Sequence, residues 1–231
     1  MIEHDHERPD EGSADKSPSD RSAATPPTGP RLSLTELSDD ELAGAAAVGD
    51  QEAFGVLIAR VSPMLLRYLQ RMADPVSAED LAQETLLSVW KGLPDFDFRS
   101  SFRTWMFTIA YRRLADSLRK KRDVPTDEAR FVDLESPEPL PAEVAMGTSL
   151  LEALRTELDA LPPTSRSTWW LREVEGLSLA EIARVLQIST GSARGHLQRS
   201  RRYLATRLAP WRPGSTEHTS EPDSTADGAS S

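Results

Sequence analysis

Residues 178–208 read SLAEIARVLQISTGSARGHLQRSRRYLATRL, and their spacing decides the fold of the chain's second half. Leu179, Ile182, Ala183 and Leu186 recur at helical intervals and give a short helix one apolar face. Ile188 plugs the turn that follows, and Ser189 is placed to cap a second helix. Ala193, Leu197, Leu204 and Leu208 line the inner side of that helix. On a wheel of about 100° per residue, Gly195, Gln198, Arg199 and Arg202 point the other way, flanked by Arg194 and Arg201. From 194 to 212 there are six arginines and no acid. Such a helix-turn-helix suits a DNA major groove, where Arg bonds guanine bidentately, Gln bonds adenine and other cations neutralise phosphate. An arginine-rich, solvated helix closing a bundle would use many of the same residues. The cap, the small Ala183, the Ile188 plug and the one-sided charge favour DNA.

Upstream, the same logic predicts more helices. Ser149 with Glu152 opens one, Pro162–Pro163 another, and Ser178 with Glu181 a third. In the first half, Ser38 with Glu41 precedes a short Ala-rich helix. Phe54, Leu57, Ile58, Val61, Leu65, Leu69 and Met72 follow helical spacing, with Pro63 expected to kink or restart the helix. Ser77 can cap a third helix, which carries Leu81, Thr85, Val89 and Trp90 on one side and Glu79, Asp80, Gln83 and Glu84 on the other. Ser100 or Ser101 opens a fourth, from Phe102 to Arg122. No alternating strand pattern occurs, so the fold class is all-α.

The chain has 231 residues, 17 of them proline, and a net charge of −10, which at first argues against a nucleic-acid partner. The charge is unevenly spread: residues 49–122 and 149–212 are net basic, between acidic stretches. The reading is of a disordered acidic extension over 1–35, a helical domain over 36–122, an acidic flexible linker over 123–148, a second helical domain over 149–210 and a disordered tail over 211–231. Neither a membrane span nor a signal peptide is expected. With no cysteine, thiol redox chemistry and Cys-ligated metals are excluded, which fits a reducing cytoplasm. His4, His6 and His218 lie in the tails, and no Walker loop, GxGxxG, HExxH or nucleophile elbow is present, so no enzyme, metal or cofactor is indicated.

Residues 96–122, FDFRSSFRTWMFTIAYRRLADSLRKKR, interleave aromatics with arginines and end in Arg119-Lys120-Lys121-Arg122. Aromatics that stack on unpaired bases beside cations that hold phosphate are the chemistry of single-strand binding. Most of these aromatics would equally serve as helical core.

The order AEDLAQETLLSVWKGL, then FRSSFRTWMFTIAYRRLADSLRKKR, an acidic linker, and LPPTSRSTWWLREVEGLSLAEIARVLQISTGSARGHLQRSRRYL resembles bacterial RNA polymerase sigma factors, specifically the extracytoplasmic-function group of the sigma-70 family. The resemblance covers about residues 38–210. It implies that the first block is sigma region 2 and the second region 4. Asp80, Gln83 and Glu84 would bind the beta-prime clamp helices of core polymerase, with Leu81, Leu86 and Trp90 supporting the helix. Arg99, Ser100, Phe102, Arg103 and Thr104 would open the −10 element and capture a flipped base, with Trp105 as pocket wall or core support. The helix bearing Tyr111, Arg112, Arg113 and Arg119 would read the −10 element. Arg194, Gly195, His196, Gln198, Arg199, Arg201 and Arg202 would face the −35 element.

Arg112 stands where the family usually has Asn, Gly195 and His196 replace frequent contacts, and Gln187 replaces a frequent Gly. The implied partners are core RNA polymerase through the clamp helices and the beta flap, promoter DNA, and an anti-sigma factor clamping the two domains. A stand-alone helix-turn-helix regulator is the alternative, and it leaves the first block without a role.

Overall fold

The computed structural model of the chain describes residues 33–120 and 138–211. The expectations for the rest of the tails and linker lie outside those residues. All regular structure among the described residues is helical, and no described helix is long and apolar enough to cross a membrane.

The first unit holds α1 (Asp39–Ala47), α2 (Gln51–Met72), α3 (Pro75–Gly92), a 3-10 turn (Leu93–Asp95) and α4 (Phe102–Lys120). The second holds α5 (Ala142–Gly147), α6 (Leu150–Ala160), α7 (Pro163–Glu173), α8 (Leu179–Leu186), α9 (Thr190–Arg207) and a last 3-10 turn (Ala209–Trp211). Three helices start at the capping boxes read from the sequence. At α8, for example, Ser178 Oγ accepts the Glu181 N–H at 3.2 Å while the Glu181 carboxylate accepts the Ser178 N–H at 2.9 Å. Two amides that a helix end leaves orphaned are satisfied reciprocally.

Three local expectations are corrected. The α2 helix runs through Pro63 without restarting. Interior proline costs about 3 kcal/mol, but Leu57, Val61, Met64, Leu65 and Tyr68 are buried on both sides of it, and that burial outweighs the local penalty. The α3 helix begins earlier than Ser77: the Asp74 side chain accepts the Ser77 N–H at 3.0 Å, and Pro75 occupies the first turn, where its missing N–H costs nothing. The end of the expected extended linker is a short helix, α5, entered through Pro141. The chain around it is tied to α9, because the Leu140 N–H donates to the Arg207 carbonyl at 3.2 Å and Arg207 donates to the Glu138 carbonyl at 3.0 Å.

The two units share one continuous apolar core. Leu42, Leu57, Leu65, Phe102, Met106 and Phe107 of the first belong to the same cluster as Leu171, Ile182, Val185 and Ala193 of the second. A smaller cluster joins Leu158 and Leu161 to Tyr203 and Leu204. Beside it Glu157 is buried but satisfied, accepting from Tyr203 at 2.7 Å and twice from Arg207 at 3.0 Å.

The turn between α8 and α9 carries a strained residue. Gln187 ends α8 at φ 57°, ψ 41°, the left-handed conformation that glycine adopts without cost.

Candidate nucleic-acid and polymerase interfaces

Helix α9 turns Ala193, Leu197, Tyr203 and Leu204 inward and leaves Arg194, Gln198, Arg199, Arg201 and Arg202 exposed. The apolar period of the sequence sets that division. The residues are not equivalent, however. Arg201 donates to Glu173 of α7 at 2.6 and 2.8 Å, so its charge is already matched. His196 turns toward α7, with Nδ1 2.8 Å from Ser165 Oγ. At Gly195 a Cβ would stand 3.2 Å from the Arg199 guanidinium, so the missing side chain leaves room for that cation to fold along the helix.

In the first unit the aromatic stretch divides between core and surface. Phe102 and Thr104 are fully buried and offer no surface to a ligand in this arrangement. Phe96 stacks on Trp105 at 4.7 Å and 22°, and Phe98 packs on Phe96 at 4.5 Å, making a short ladder whose exposed end is Phe98. Phe98 sits at φ 55°, an outlier for a bulky residue. It was legible in sequence only as one aromatic among several; its exposure and strain are properties of the loop.

Arg99 is exposed beside Asp97 and Ser100 is half-buried. Arg103 is bonded to Asp39 of α1 at 2.6 Å. Along α4, Tyr111 reaches Thr164 of α7 at 3.4 Å, Arg112 is exposed and Arg119 pairs with Asp116. Arg113 donates to Glu84 and to Ser88 of α3, each at 2.5 Å.

On α3, Asp80, Gln83, Glu84, Leu87 and Trp90 share solvent exposure, whereas Leu81 is buried and anchors the helix. Trp90 rests on Phe54 of α2 with ring centroids 4.4 Å apart. The outward side thus combines carboxylates with two large apolar groups. That composition is unlike a merely solvated face and fits a protein partner.

The units meet through α4 and α8 and through α2 and α7. Glu181 of α8 accepts from the Thr104 hydroxyl at 3.0 Å and from the Ser101 hydroxyl at 3.4 Å, and Arg184 donates to the Arg99 carbonyl at 2.8 Å. The Ser178 amide and hydroxyl hold the Glu181 carboxyl below its ordinary range, and Thr104 and Ser101 lower it further. Across the second contact Tyr68 donates to Ser167 at 3.2 Å, and beside it Arg71 of α2 binds both oxygens of Asp159 of α6 at 2.7 and 2.8 Å. Glu175 registers both units: burial pushes its carboxyl up, against the opposing pull of the Trp170 N–H and of Arg67 and Arg103.

An open apolar groove of about 460 Å³ lies on the second unit, lined by Leu150, Leu154, Trp169, Leu204, Leu208 and Trp211 among others.

Family models match the chain twice, Sigma-70 region 2 over residues 57–124 and Sigma-70 region 4 over residues 151–204. The chain is 32% identical over 192 residues to RNA polymerase sigma-H factor of Pseudomonas aeruginosa, covering 77% of this chain and 97% of that protein. It is 31% identical over 182 residues to RNA polymerase sigma factor CnrH of Cupriavidus metallidurans, covering 75% and 95%. Among solved structures, CnrH in complex with the cytosolic domain of CnrY matches with a TM-score of 0.53 at 29% identity, over 73% of this chain and 96% of that one. The sigma factor RpoE in complex with the anti-sigma factor NepR, from Bartonella quintana, matches with a TM-score of 0.54 at 25% identity, over 69% and 98%.

Proposed function

The chain belongs to the extracytoplasmic-function group of the sigma-70 family of RNA polymerase sigma factors, and on that premise we propose which surfaces do its work. As a sigma factor it is a noncatalytic subunit that directs RNA polymerase to promoters. Region 4 reads the −35 element with the outer side of α9, where Arg194, Gln198, Arg199 and Arg202 stand exposed. Region 2 opens the −10 element with the loop from Phe98 to Ser101 and reads it along α4, from Tyr111 to Arg119. The exposed side of α3 (Asp80, Gln83, Glu84, Leu87 and Trp90) docks on the polymerase clamp helices, and the apolar groove beside Trp169 and Trp211 seats the beta flap.

The observation that carries this reading is the contact of α8 with the loop, Glu181 on the Ser101 hydroxyl and Arg184 on the Arg99 carbonyl, because it covers the segment proposed to melt DNA. A chain built this way is closed until polymerase engages it. The two similar structures are complexes, one with the cytosolic domain of CnrY and one with an anti-sigma factor, and a partner that holds the closed arrangement is proposed for this chain too. The cytoplasm, where polymerase works, is the proposed location.

The test mixes the purified chain with bacterial core polymerase and follows co-elution and promoter-selective transcripts on genomic fragments. Discrete new start sites, weakened by Asp80→Lys and Glu84→Lys, support the assignment. Tight, salt-sensitive binding to duplex DNA without any binding to core would overturn it in favour of a stand-alone regulator.

A further inference from the structure

Helix α1 lies ahead of both matched family regions, the first of which begins at residue 57, yet it is bonded to the start of α4, directly after the loop assigned to strand capture. We propose that α1 is a positioning element of the melting site. Asp39 and Asp40 hold the start of α4, and Gly44 floors the Phe98 ring. The inference rests on the reading of the 98–101 loop given above.

The first turns of α1 and α4 converge. The Phe102 N–H, one of the amides that the start of α4 leaves without an intrahelical partner, donates to Asp40 Oδ1 at 2.6 Å. Asp40 itself stands in the first turn of α1, so one carboxylate faces the positive ends of two helix dipoles and favours both. Asp39 does the neighbouring work. Its Oδ2 accepts from Arg103 Nε at 2.6 Å and its Oδ1 from Arg60 at 3.0 Å, with its side chain only 12% exposed. Arg60 also donates to the Leu37 and Thr35 carbonyls at 2.7 and 3.0 Å, so Asp39 is braced on α2. Two carboxylates and two guanidiniums thus tie the first two residues of α4 to α1.

The other end of the loop is held by shape. A Cβ on Gly44 would stand 3.8 Å from Phe98 Cζ, ordinary contact distance, so a larger side chain there would meet the ring. Phe98 keeps its left-handed backbone because its surroundings over-determine it: its ring packs on Phe96, and the Arg99 N–H donates to Asp97 at 3.2 Å. Residues 39, 40 and 44 therefore set both ends of the segment before any strand arrives. Ordering paid in advance is ordering that the incoming strand need not supply.

The experiment uses the full chain assembled with core polymerase on a genomic promoter fragment that it transcribes. Permanganate reactivity of thymines reports opening, and core co-elution runs in parallel. Asp40→Ala is expected to lower opening about tenfold, the effect of one lost charge-assisted hydrogen bond, and Gly44→Leu to lower it by crowding the Phe98 ring, both with core binding unchanged. Asp40→Asn keeps an acceptor for the Phe102 amide and should recover most of the loss, which a general defect in folding would not allow. Gly44 is half-buried in a helix, where Leu is a better helix former, so Gly44→Leu tests the idea even if Asp40→Ala fails to fold.

Arg99→Ala and Phe98→Ala separate the loop's own role from that of α1. If they reduce opening while Gly44→Leu and Asp40→Ala do not, the loop reading stands and the role of α1 is overturned. If none of the four alters opening, the loop reading falls and takes the role of α1 with it.

Discussion

Glu181, third residue of the first helix of the helix-turn-helix, accepts a hydrogen bond at 3.0 Å from the hydroxyl of Thr104, 77 residues earlier in the chain. One carboxylate therefore does two jobs, closing its own capping box and fastening region 4 onto region 2. Promoter elements named −35 and −10 lie about 85 Å apart at 3.4 Å per base pair, which two units in direct contact do not span. With the second unit proposed to read the −35 element and the first the −10 element, the contact opens when both are read together. Beside the shared apolar core, the contact includes two buried hydroxyls, Thr104 and Ser167, that water can solvate once exposed.

Removing this fastening should populate an open form. The chain has no cysteine, so Glu79→Cys and Arg155→Cys supply two unique labelling sites for a distance measurement. With Glu181→Ala, the ratio of long to short distances should rise about fivefold, as expected for roughly 1 kcal/mol of lost hydrogen bonding. An unchanged distribution would show that the apolar packing between α4 and α8 holds the units without it.

The arginines of α9 should differ in their effect on DNA. Arg202→Ala should lower the slope of log affinity against log salt by about 0.9, the signature of one lost phosphate contact. Arg201→Ala should change it much less, because that guanidinium is held by Glu173 at 2.6 and 2.8 Å. Titrations of the assembled polymerase on a −35 fragment at several salt concentrations compare the two.

Gln187→Gly should stabilise the protein. Relief of a left-handed non-glycine residue gains about 1 kcal/mol, or about 3 °C in thermal midpoint for a chain of this size. Calorimetry of the two proteins side by side measures the gain, and a lower midpoint would mean that the Gln187 side chain makes a compensating contact.

Acid should loosen the caps. Hydrogen bonds from Ser38, Ser149 and Ser178 hold the carboxyls of Glu41, Glu152 and Glu181 below their ordinary value of 4.5. A carboxyl lowered in the folded state contributes stability that is complete above its unfolded value and lost as pH falls through the folded one. Thermal midpoints should therefore decline on the acid side of pH 4.5. The triple variant Ser38→Ala, Ser149→Ala, Ser178→Ala should show a shallower decline in that window. The same slope in both proteins would mean that other carboxylates carry the acid sensitivity.

The helices of this protein were legible because their signals are short-range. Ser38–Glu41, Ser149–Glu152 and Ser178–Glu181 bond across three residues, a distance that sequence spacing specifies directly. The apolar period of 179–208 likewise sorted inner from outer residues on α9, leaving Arg194, Gln198, Arg199 and Arg202 on the surface. Local reasoning erred where a competing local or tertiary interaction prevailed. Asp74 displaced Ser77 as the cap of α3, and burial on both sides of Pro63 carried α2 through it.

Composition, capping and periodicity by themselves determined an all-helical chain in two basic blocks, and the order of its motifs pointed to its family. Only the tertiary structure decided that the blocks close on one another, that Phe102 and Thr104 are buried while Phe98 is not, and that α1 holds the first residue of α4. The reason is one of range. A hydrogen bond between residues 3 apart is written in the spacing, whereas those joining Asp40 to Phe102 and Thr104 to Glu181 span 62 and 77 residues and exist only once the core has brought their helices together.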